Sequence, residues 1–86
     1  MNYDSICLKI QELIYEHSCT KFDYETLLLE NGIDSVSIIE IIMNIEEKFN
    51  IEFEPSMLNY NLFKSINTIS EYVYKHLSKD QRNEKS

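Results

Sequence analysis

Asp34 and Ser35 are the adjacent pair with the most chemical potential in the chain, because they stand where a long apolar helical pattern begins. Two readings fit them. The commoner is capping, in which a short polar side chain at a helix start accepts a bond from an unpaired backbone amide. The other is covalent modification. The free amides and positive pole of a helix start stabilise an anionic phosphoester, and a hydroxyl at such a corner is open to a modifying enzyme. Gly32, the only glycine, supplies a permissive backbone just ahead of the pair.

Little else is equipped for catalysis. A single glycine excludes a glycine-rich phosphate loop, and no serine sits in a nucleophile elbow. His17 and His76 are the only histidines, and both fall near helix ends rather than beside a nucleophile. Cys7 and Cys19 form no Cys-x-x-Cys motif and have no histidine at ligand spacing, so they read as reduced thiols of a cytoplasmic protein. Calcium-loop spacing is missing, and Glu46, Glu47, Glu52 and Glu54 offer divalent cations only a weak site. Neither turnover by this chain alone nor a dedicated metal centre is expected.

A formal charge of −7 argues against nucleic acid as a partner, since phosphates require clustered Lys and Arg. The distribution says more than the total. Asp23, Glu25, Glu30, Asp34, Glu40, Glu46, Glu47, Glu52 and Glu54 crowd the middle of the chain, where Lys48 is the only base. Such a field steers basic partners toward that region, and it equally serves as a solvated face that keeps a small domain soluble. No apolar run approaches the roughly 20 residues of a membrane span. Met1-Asn2-Tyr3-Asp4 lacks the basic-then-apolar pattern of a signal peptide.

The elements that must position Ser35 follow from periodicity. Ile6, Ile10, Leu13 and Ile14 make one stripe of a helix from about Tyr3 to His17, with Asp4 as a cap or first-turn acid and His17 suited to the negative pole. From Ser18 to Gly32 neither period holds. Phe22, Tyr24 and Leu27-Leu28-Leu29 should anchor a long connection, with room for one helical turn. The helix from Ser35 to about Phe49 buries Ile38, Ile42, Ile45 and Phe49, with Ile41 beside them. Its other side is mixed: Val36, Glu40, Met43 and Glu47, with Ile39 and Glu46 at the margins. Either that side is a contact surface, or neighbouring elements wrap it.

Asn50 to Glu54 alternates like a strand, but with no second strand to pair it reads as an extended link burying Ile51 or Phe53. Pro55 suits a first helical turn, a brief helix is expected over 56–60, and Leu62 and Phe63 add an anchor. Ser65 caps a closing helix from Ile66 to about Leu77, with Ile66, Ile69, Val73 and Leu77 on one face and Lys75 and His76 near its end. A single domain over 1–77 is expected, with 78–86 a disordered polar tail.

Gly32-Ile33-Asp34-Ser35-Val36, followed by Ile39-Glu40, Met43, Ile45-Glu46-Glu47 and Phe49, resembles the acyl carrier protein family, including the peptidyl carriers of nonribosomal synthetases. The resemblance runs from about Leu27 to Tyr74 and takes in Ile51-Glu52-Phe53 and Phe63. It implies an all-α fold: a small four-helix bundle with a long first loop and a short third helix. It implies a 4′-phosphopantetheine arm on Ser35, added from coenzyme A by a phosphopantetheinyl transferase, with Asp34 as the motif acid that assists that enzyme. Val36, Ile39, Glu40, Met43, Glu46 and Glu47 match the helix that docks on partner enzymes, namely a loading enzyme for acyl or aminoacyl groups and downstream synthase enzymes.

This sequence departs from the family pattern in places. Val36 stands where Leu usually follows the serine, Asn31 where Leu commonly precedes the glycine, and Ser37 where fatty-acid carriers often have an acid. Ile38 is more apolar than usual. The lost acid and Lys48 favour a freestanding monomeric carrier of a specialised pathway, of nonribosomal peptide or polyketide type. A fatty-acid carrier is the alternative, with a D-alanyl carrier behind it. A helical adaptor without a prosthetic group, docking through Val36, Ile39 and Met43, is the reading from outside the family.

Overall fold

A computed structural model describes residues 2–85, with the side chains of Met57 and of 78–85 outside that description. The order is α1 (Tyr3–Ser18), a 3₁₀ turn (Leu28–Glu30), α2 (Ser35–Phe49), a second 3₁₀ turn (Pro55–Met57), α3 (Tyr60–Phe63) and α4 (Ile66–Lys85). No strand occurs among the described residues. The fold is the expected small all-α bundle, with a long first connection and a short third helix.

One core joins the helices. Ile6, Cys7, Ile10 and Ile14 of α1 meet Ile38, Ile41, Ile42 and Ile45 of α2 and Ile66, Ile69 and Val73 of α4, all buried. Helix α1 packs on both α2 and α4, and α3 lies against α4. Each such aliphatic side chain, taken fully out of water, stabilises the fold by about 1.5–3 kcal/mol. Leu13 and Phe49, expected inside, are only partly buried, because each sits at the margin of its stripe or the end of its helix. Both Ile51 and Phe53 are buried, so the link after α2 is pinned twice.

The long connection is fixed by bonds to elements far along the chain. Gln11 Nε2, buried, donates to the Phe22 carbonyl at 2.7 Å. Leu28 N–H donates to Lys64 O at 3.0 Å, and Asn67 N–H donates to Tyr24 O at 2.9 Å. Backbone groups that neither helix nor sheet could satisfy are thereby paired. Tyr3 closes the same end of the bundle, its hydroxyl donating to Asn67 Oδ1 at 3.0 Å. Burial pushes that phenol up to about 12, helped by the neighbouring Cys7.

Caps account for where the helices start. Asn2, not Asp4, caps α1 by accepting the Ser5 amide at 2.8 Å, which leaves Asp4 as a first-turn acid. The brief helix expected over 56–60 is instead a 3₁₀ turn followed by α3 at Tyr60–Phe63, because Asn59 accepts the Leu62 amide and sets a later start. Ser65 and Thr68 bond reciprocally, Ser65 N–H to Thr68 Oγ1 at 3.0 Å and Thr68 N–H to Ser65 Oγ at 3.4 Å. That is a capping box at the start of α4. The polar run after Leu77, expected to be disordered, has helical backbone through Lys85. Its Lys, Gln, Arg and Glu are good helix formers, and extending an existing helix avoids the cost of a new nucleus. Ser86 lies outside the described residues.

Candidate functional site

The approach to α2 is held from below. Gly32 has φ +103, a conformation that side chains oppose, and this lets the chain turn up into the helix. Ile33, directly after it, is buried and donates its N–H to Leu28 O at 3.2 Å. Asn31 Nδ2 adds a bond to Leu27 O at 2.7 Å. Residue 34 therefore starts from a fixed platform.

Asp34 is the N-cap of α2, in extended backbone with φ −89 and ψ 174. Its Oδ1 accepts the Ser37 amide at 2.7 Å, and its carbonyl accepts Ile38 N–H at 3.0 Å. The Ser37 amide, and more weakly the charge of His17, hold the Asp34 carboxyl below the ordinary carboxylate range. Ser35 follows as the first helical residue, exposed to solvent. The pair thus divides its work: the aspartate satisfies the helix end, and the serine hydroxyl faces outward at the positive pole.

Behind Ser35 runs an open apolar strip. Val36 is 70% exposed, Ile39 46% and Met43 61%. These values decide between the two readings of that face, since no neighbouring element among the described residues wraps it. The acids around the strip behave differently from one another. Glu47 is exposed, whereas Glu40 Oε1 lies 3.4 Å from His17 Nε2 on α1. Glu46 turns away from the strip, its Oε2 accepting Phe53 N–H at 2.7 Å. Among the described residues no three acids, histidines or cysteines gather as a metal site, so Glu46, Glu47, Glu52 and Glu54 do not converge.

His17 is the site neighbour that periodicity missed. The sequence marks it only as a helix-end residue, and nothing local announces a partner on the next helix. Cys19 is exposed and Cys7 lies in the core.

A family model described as "Phosphopantetheine attachment site" matches residues 9–73. The acyl carrier protein of Phytoplasma mali (strain AT) is 35% identical over 75 residues, covering 80% of this chain and 84% of that protein. No solved structure matches. Proteins of this kind bear covalently attached 4′-phosphopantetheine and are non-catalytic carriers, themselves the substrates of other enzymes. The geometry fits the group: an exposed hydroxyl at a helix start favours a phosphodiester, and an open apolar strip lies beside it. A family match over most of the length, joined by a relative of that identity, places the chain in the acyl carrier protein family of phosphopantetheine-binding carriers.

Proposed function

We propose that Ser35 carries the arm, and that the exposed face of α2 presents the loaded protein to partner enzymes. The observation that carries this reading is the division of labour at the helix start. Asp34 is engaged with the Ser37 amide, and Ser35 stands outward as the first residue of α2. The arm's terminal thiol supplies the atom on which an acyl or aminoacyl group is held as a thioester. The chain's own contribution is to fix the attachment point and to be recognised.

Recognition runs through Val36, Ile39 and Met43, with Glu40 and Glu47 attracting basic partners. Contacts of this size are small and short-lived, which suits a protein that visits several enzymes in turn. Glu46 has a lesser part in docking because its carboxylate is already committed to Phe53. The partners are a phosphopantetheinyl transferase, a loading enzyme and downstream synthase enzymes, met by a monomer in the cytoplasm. No helix of the described residues is long and apolar enough to cross a membrane.

The cargo is read as that of a specialised pathway, of nonribosomal peptide or polyketide type. Support comes from the muted acidity of α2: Ser37 and Lys48 dilute its charge, and Glu46 and Glu40 have partners within the chain. A fatty-acid carrier is the second reading, favoured by the name of the Phytoplasma mali relative. The test begins with a promiscuous transferase and coenzyme A, read by intact mass. The modified protein is then offered to an adenylating enzyme with amino acids, a polyketide loading enzyme with its acyl donor, and a fatty-acid malonyl transferase. Faster loading by either of the first two supports the specialised reading. Preference for the fatty-acid enzyme overturns it and leaves the carrier function standing.

A further inference from the structure

Helix α1 carries a second stripe that the described residues leave uncovered. Leu8, Gln11, Glu12 and Tyr15 fall at i, i+3, i+4 and i+7, on the side of the helix away from Ile6, Ile10 and Ile14, which face the core. Leu8 is 50% exposed and Tyr15 52%. Together with Glu16, and with Lys21 of the connection that follows, the stripe lines an open groove. One wall of the groove is fixed, because Gln11 is buried and bonded to the Phe22 carbonyl, which holds the connection against α1. Helix geometry sets Leu8 and Tyr15 about 10 Å apart, two turns along one face. The charges beside them are unmatched. Glu12 and Glu16 are exposed, and among the described side chains neither forms an ion pair, with Lys9 and Lys21 or with any other base.

We propose that this face of α1 is a second docking surface, separate from the apolar strip of α2. Its occupant is an amphipathic helix of a partner protein, with apolar side chains two turns apart and Lys or Arg along the flank that meets Glu12 and Glu16. A helix repeats its own face at the spacing of Leu8 and Tyr15, so two anchors on the partner match two on α1. Tyr15 suits such a contact, since its ring is apolar while its hydroxyl can stay in water. The two carboxylates, one turn apart, select a basic flank over an acidic one. A second copy of this chain is the poorer occupant, because each copy carries a formal charge of −7, and an anionic membrane is repelled for the same reason. A partner held on α1 leaves Val36, Ile39 and Met43 open to an enzyme.

The test titrates the full chain with a synthetic amphipathic helical peptide that bears Leu at i and i+7 and Lys along one flank, read by amide NMR shifts. Shifts should move over residues 8–16. A control peptide with Glu in place of each Lys should move none of them. Tyr15→Ser should weaken binding at least about tenfold, the cost of losing one aromatic anchor. Leu8→Ser is the second variant should Tyr15→Ser fail to fold. Glu12→Lys with Glu16→Lys should weaken it as well, most strongly at low salt. Val36→Asp should leave the affinity unchanged. Shifts confined to residues 36–43, an equal response to the Glu peptide, or none at about 1 mM peptide overturns the proposal. Two further results overturn it in favour of another occupant. Movement of the same amides with protein concentration alone points to a second copy, and movement with phosphatidylcholine vesicles but not with the peptide points to a lipid surface. None of these outcomes touches the carrier reading, which the mass gain at Ser35 tests by itself.

Discussion

The carboxylate of Glu46 accepts the backbone N–H of Phe53 at 2.7 Å, tying the last turn of α2 to the extended link that follows it. The same residue's carbonyl accepts Ile51 N–H at 3.1 Å and the Asn50 amide, where Asn50 closes the helix in left-handed conformation at φ 56. One residue of the acidic row therefore serves as a C-terminal brace. Glu46→Ala should lower stability by about 1 kcal/mol, the usual net worth of one hydrogen bond plus some loss from an amide left unpaired. Glu47→Ala should stay within about 0.5 kcal/mol of the wild type, as surface changes do. Urea unfolding of both variants checks the contrast. Equal stability of the two would show that the brace contributes nothing.

Glu47 is exposed on the docking helix, so its effect should be on encounter rather than on folding. Glu47→Lys should slow transfer by the phosphopantetheinyl transferase about tenfold at low salt, and the deficit should shrink as salt screens the field. Glu40→Lys should act in the same direction while also breaking the contact with His17. Transfer rates measured across a salt series decide this. A deficit that stays constant with salt would remove the electrostatic steering from the account.

The Asp34 carboxyl is held down by the Ser37 amide, so its ionised form is favoured in the folded state. The sign follows directly. Its stabilisation is complete above the unfolded value of about 3.9 and is lost as pH falls through the lower folded value. Asp34→Asn keeps a capping oxygen but cannot titrate. Thermal melts should show the wild type ahead of Asp34→Asn at about pH 6, with the gap closing as the pH falls through the lowered folded value. A gap independent of pH would mean that the charge on the cap is idle.

Much of this architecture is legible in residue spacing, and the exceptions share a cause. Ile6, Ile10 and Ile14, and likewise Ile38, Ile42 and Ile45, lie on the buried stripes that their period predicts. Asp34 and Ser35 also stand as read, cap and exposed hydroxyl, because helix starts are encoded locally. Cys7 is different. It lies off the stripe of α1 yet is fully buried, because α4 covers that side and Asn67 stands 3.9 Å from its sulfur. The start of α3 hinges on the Asn59 side chain, a choice between neighbouring polar residues that hydrophobic period cannot make. Glu46 with Phe53 and His17 with Glu40 join residues from different elements. Periodicity describes one helix at a time and is blind to such pairs. The exposure of Val36, Ile39 and Met43 belongs to the same class, since only the placement of the other helices decides whether that face is covered.

The most direct measurement compares Ser35→Ala with Ser37→Ala after incubation with coenzyme A and a promiscuous transferase, read by intact mass. Ser37 is the sharp control: it lies two positions on, and its amide already serves Asp34. The account predicts that the wild type and Ser37→Ala each gain one phosphopantetheine and that Ser35→Ala gains none. A mass gain in Ser35→Ala, or no gain in the wild type, would contradict it.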